Sequence, residues 1–72
     1  MLEDVPGAIV LLANRANDET TKDSTMEFIA MGEERGFLAL EDGKLRPMDF
    51  PWPVSFWRSL IEWDKAIAAQ ET

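Results

Sequence analysis

The chain contains no cysteine, no histidine and no tyrosine in its 72 residues. Without thiols there are no disulfides, no thiolate nucleophiles and no Cys-based zinc sites. Without imidazole the usual general base at neutral pH is missing, as is metal or haem ligation through histidine. Cations are also scarce: seven Lys and Arg stand against fourteen Asp and Glu, a formal charge of −7. That balance disfavours the phosphates of DNA or RNA and the surfaces of anionic membranes, and it favours basic protein partners. No long apolar run is present either. Ala8-Ile9-Val10-Leu11-Leu12-Ala13 is too short for a signal h-region or a spanning helix. Met1-Leu2-Glu3-Asp4 has no basic n-region and no glycine at position 2, so the expected location is cytoplasmic.

What is present fits one small folded domain. Apolar residues make up 46% of the chain and charged residues 29%, too apolar for intrinsic disorder. A chain this short buries only about 60% of the surface its unfolded form exposes. Its three Trp and four Phe therefore weigh heavily in any core or contact surface.

The expected fold is α+β: an antiparallel meander of about four strands with one C-terminal helix packed on it. Val5-Pro6-Gly7 reads as an extended or turn segment, and the apolar, β-branched run 8–14 as a buried strand. Residues 14–24 form the most polar stretch and read as a loop. In 25–31 the alternation of Met26, Phe28 and Ala30 with Thr25, Glu27, Ile29 and Met31 predicts a second strand. Gly32 and Gly36 bracket a turn. The segments 37–41 and 44–47 flank Asp42-Gly43, a type I′ hairpin signal that sets Glu41 opposite Lys44 and Leu40 opposite Leu45. Pro51-Trp52-Pro53 is a stiff corner whose tryptophan plugs the end of the core. A helix then spans about 53–69, with Pro53 at its first position or Ser55 as N-cap.

That helix carries the candidate site. At 100° per residue, Trp63, Phe56, Ile67 and Leu60 fall within about 60° of one another. Trp57, Ala68, Ile61 and Val54 form a second cluster, with Asp64 inside the combined arc. The first cluster is expected to make the core. Trp57, Ile61 and Asp64 would face a partner, with Trp57 as anchor, so that Trp57→Ala abolishes binding and spares the fold. In the competing reading the sheet curls round the helix and the whole arc is core. Asp64 is then partly buried and accepts a hydrogen bond from an indole N–H or a backbone amide. Glu33, Glu34, Glu41 and Asp42 on successive turns would steer the chain to a basic surface. A homodimer through the same helix is the related option.

The alternative site is a stacking pocket for a nucleotide-like molecule built from Trp52, Phe56 and Trp63, with Arg46 or Arg58 on the phosphate. Gly32 and Gly36 lack the spacing of a phosphate loop. Asp18, Glu19 and Asp23 lack the calcium-loop pattern. Ser55 or Ser59 with Lys65 make no activated nucleophile, so no catalytic residue, metal or cofactor is expected. By elimination the expected function is stoichiometric binding. Proteins of this size and charge include antitoxins, immunity proteins and phage-encoded inhibitors of larger, often nucleic-acid-handling, proteins. A structural subunit of a larger complex is a further alternative.

Overall fold

The computed structural model describes residues 4–70, so residues 1–3, read above for a targeting segment, lie outside it. The elements run α1 (Val5–Ala16), α2 (Lys22–Arg35), β1 (Leu38–Glu41), β2 (Lys44–Pro47) and α3 (Val54–Gln70). The class is α+β with a C-terminal helix, as expected, but only two strands are present among the described residues. The strands expected at 8–14 and 25–31 are helices.

Both corrections have local causes. Pro6 sits in the first turn of α1, where the missing N–H has no intrahelical partner to lose. Ala8 and Leu12, four apart, turn one face of α1 into the core. In α2 the buried positions are Thr25, Phe28, Ile29 and Gly32, a helical period, while Met26 and Ala30 are exposed. Threonine disguises that face in the sequence. Thr25 Oγ1 donates to the Thr21 carbonyl (2.8 Å), so it enters the core with its hydroxyl satisfied. Thr21 Oγ1 donates to the Arg15 carbonyl (2.6 Å), capping the end of α1 and docking the start of α2 against it. The expected loop 14–24 therefore shrinks to the connection at 17–21. Within it, the Thr20 amide and hydroxyl both donate to Asp18 Oδ1 (3.0 and 2.9 Å).

Gly32 and Gly36 belong to a helix end rather than to a hairpin turn. Gly36 takes a left-handed φ of 84°, and the Phe37 amide returns to the Gly32 carbonyl (2.9 Å), which closes α2. Gly32 has a separate role: a Cβ there would run into Leu38 Cδ1 and lie 2.9 Å from its Cγ. β1 can approach α2 this closely only across a glycine.

The hairpin follows its sequence signal. Leu40 pairs with Leu45 and Glu41 with Lys44, around Asp42 and Gly43 at φ 53° and 76°. Leu38, Leu40, Leu45 and Pro47 share the face turned to the helices. On the other face Arg46 Nε lies 2.9 Å from Glu41 Oε1.

Trp52 plugs the core from the corner, 4% exposed, with its indole N–H on the Met48 carbonyl (3.0 Å). The Phe50–Pro51 peptide is cis, and Asp49 holds a left-handed φ of 53°. Pro53 precedes α3 rather than opening it, and its carbonyl accepts from the Phe56 and Trp57 amides. Phe56, Leu60 and Ile67 are then buried to 1% or less. Phe56 is the hub of the aromatic core, with ring centres 5.7 Å from Phe28, 4.7 Å from Phe37 and 4.9 Å from Trp52. Among the described residues, no helix is long and apolar enough to cross a membrane.

Candidate protein-binding surface

The leucine face of the hairpin is wider than the helices beneath it can cover. Leu38 closes onto Gly32, but two residues further along β1 the underlying side chains are Ala13 and Ala16 of α1, and these small groups leave space. The result is a groove of about 310 Å³ between α1, α2 and the hairpin. Met26 and Ile29 form its α2 wall, and Leu40 and Leu45 its hairpin wall. Met26 and Leu40 are 42% and 43% exposed, so two large apolar side chains border the opening. This volume is at the lower end of the range for small-molecule sites.

The rim is acidic. Around α2, Asp23, Glu27 and Glu34 fall within about 40° of one another on the solvent side of Met26, at 100° per residue. Glu33 projects between Met26 and Ile29 by the same geometry. All four are exposed, and among the described residues none of them forms an ion pair. Asp42 stands at the hairpin tip beside Gly43, which also borders the groove. Lys22 at the start of α2 and Lys44 after the turn are the nearby cations.

The residues singled out on α3 lie elsewhere. Trp57 is 9% exposed and its ring centre is 4.9 Å from that of Trp52, so it belongs to the core and presents no anchor to a partner. Ile61 is half-buried. Asp64 faces inward to Arg15, whose Nη2 is 3.1 Å from its Oδ1. Of the turn acids, Glu33 and Glu34 are on α2 and Asp42 is at the hairpin tip, while Glu41 turns to Arg46 on the face away from the groove.

Nor are the residues of the nucleotide-like pocket brought together around open space. Trp52 and Phe56 are buried edge to face at 4.9 Å. Trp63 stacks on Phe28 at 5.1 Å, with the Arg15 guanidinium 5.8 Å from its ring centre. Arg46 is held by Glu41, and Arg58 is exposed on the solvent side of α3. Ser59 Oγ donates to the Ser55 carbonyl of its own helix (3.1 Å). Among the described residues there is no group of three side chains placed to hold a metal ion.

The sequence reading missed Met26, Leu40, Asp23 and Glu27 as surface residues. The signal was present: 23, 27 and 34 share one face of any helix drawn through 22–35. A second exposed apolar region, Met48, Phe50 and Val54 at 42%, 61% and 71%, surrounds the proline corner. Comparison with protein-family models, with curated proteins and with solved structures finds no match to this chain.

Proposed function

We propose that the protein acts without catalysis, by stoichiometric binding: it docks the groove between α1, α2 and the hairpin onto a larger protein and occludes a basic surface there. The observation that carries this reading is the pairing of Met26 and Leu40, large apolar side chains left over 40% exposed on opposite walls of one groove. An apolar centre with a charged rim is the usual anatomy of a protein contact. The net charge of −7 supplies steering toward a basic partner, which raises the association rate more than the affinity. Basic surfaces are typical of nucleic-acid-handling proteins, so an inhibitor of such a protein, of the antitoxin, immunity or phage-encoded kind, is the functional class that fits best.

Small-ligand sequestration by the aromatic side chains has less support, because Phe28, Phe37, Trp52 and Trp57 occupy one another's faces and those of Phe56. The test is native mass spectrometry of the tagged protein recovered gently from lysate of the cells that encode it. The expected result is one larger protein at fixed stoichiometry, lost with Leu40→Glu. Recovery of the chain bare, or with an added mass of a few hundred daltons, contradicts the reading.

A further inference from the structure

Asp23 in the first turn suits the dipole of α2, but the acids of this helix otherwise work against it. Asp23 and Glu27 are like charges four residues apart, an arrangement that destabilises a helix. Glu33 and Glu34 lie in the last turn, at the negative end of the helix dipole, where only Arg35 opposes them. No cation of the described chain is paired with any of the four. Beyond Asp23 at the helix start, folding gains nothing from this placement. A local rule broken without internal compensation is expected where a residue serves something outside the fold.

The face has a shape as well as a sign. Asp23, Glu27, Ala30 and Glu34 run in a nearly straight row along the axis for about 16 Å, at 1.5 Å per residue. Ala30 leaves a low point in the middle of that row. Met26 lies between the row and the groove, so acid row, apolar wall and cavity are continuous across one surface.

We propose that this surface receives a basic amphipathic helix of the partner protein. One bulky apolar side chain enters between Met26, Leu40 and Leu45, and Lys or Arg side chains one turn apart pair with Asp23, Glu27, Glu33 and Glu34. A helix laid along α2 repeats its side chains at the same turn spacing as the acid row, and crosses it at Ala30. The proposal rests on the reading of the groove as a protein-binding site and adds the chemistry and form of what it binds.

The test uses fluorescence anisotropy with three synthetic sixteen-residue peptides and the full chain. The first peptide places Leu at helical spacing among Lys and Arg. The second has the same composition scrambled out of helical period, and the third replaces its Leu with Ala. The first is expected to bind, the others to bind more weakly by about tenfold or more, a factor worth about 1.4 kcal/mol. Leu40→Glu and the double variant Asp23→Asn, Glu27→Gln should each weaken the first peptide by a similar factor. Glu41→Gln with Glu62→Gln removes the same charge elsewhere and should leave binding unchanged. Equal binding of the scrambled peptide, equal loss in the Glu41, Glu62 control, or no binding of the first peptide overturns the inference. If the peptides fail while a larger protein is still captured in a Leu40-dependent way, the helical ligand is wrong and the groove stands. If that capture fails too, the reading of the groove falls with it.

Discussion

Arg15 of α1 reaches across the molecule to Asp64 of α3, Nη2 to Oδ1 at 3.1 Å, while its guanidinium lies 5.8 Å from the ring centre of Trp63. One side chain thus ties the first helix to the last and covers part of an aromatic ring. The acid that the helical wheel points toward a partner is engaged by Arg15 at the edge of the fold.

The tie should be modest. Its side chains are 20% and 43% exposed, so solvent screens the pair and a double-mutant cycle on Arg15→Ala and Asp64→Ala should give a coupling of at most about 1 kcal/mol in urea denaturation. Arg15→Ala should cost more than Asp64→Ala, because it also removes a cation–π contact worth about 0.5–1 kcal/mol. An unchanged fold in Asp64→Ala together with lost partner binding would return Asp64 to the interface.

Trp57→Ala should damage the fold, contrary to the expectation from sequence. A large aromatic truncated in a core costs about 3–5 kcal/mol, as much as the whole stability of a small domain. Circular dichroism should show loss of helix or a urea midpoint far below the parent. Leu40→Glu changes a side chain 43% exposed in a cross-strand pair with Leu45 and should cost only about 1 kcal/mol, leaving the protein folded. A well-folded Trp57→Ala protein would contradict the core assignment.

Gly32→Ala should destabilise, although alanine is the better helix former by about 1 kcal/mol. The added methyl meets Leu38 Cγ at 2.9 Å, and overpacking of this kind costs about 1–3 kcal/mol. Pairing it with Leu38→Ala should recover less than Leu38 contributes by its burial, since that leucine is only 3% exposed. A thermal midpoint above that of the parent would show that β1 can move away from α2.

Asp18 should titrate below an ordinary aspartate. The Thr20 amide, then its hydroxyl, donates to the carboxylate and favours the charged form, and Arg15 adds to this. A depressed folded pKa gives stability that is present above the unfolded value and lost as pH falls through the folded one. The contribution therefore disappears only on the acid side. Thr20→Val should raise the Asp18 pKa in an NMR titration and lower stability slightly at neutral pH, a difference from the parent that vanishes as pH falls through the Asp18 pKa. An identical Asp18 titration in both proteins would show that the hydroxyl is not donating.

The hairpin was legible because its information is local: Asp42-Gly43 specifies positive φ, and the register of Leu40 on Leu45 follows from it. Helix α3 was legible from its period. The first two helices were not, because the apolar run 8–14 is too short to show a period and the α2 core face uses Thr25 and Gly32 where apolar residues are expected. Thr25 is acceptable there only through its bond to the Thr21 carbonyl, a tertiary detail with no sequence signature. The candidate site was missed for the same reason. As a strand, Met26 shares a face with Phe28; as a helix residue it stands among Asp23, Glu27 and Glu34. In the second apolar cluster of α3, Trp57 is covered by Trp52 from the corner, while Val54 and Ala68 stay exposed.

The most direct test of the central claim is amide hydrogen exchange on the protein alone and in complex with the proposed larger partner protein. Docking in the groove predicts new protection along α2 and across the hairpin tip, around Met26 and from Leu40 to Leu45. Protection confined to the outer side of α3 around Val54 and Ala68, or to the corner around Phe50, with the groove exchanging as in the free chain, would contradict it.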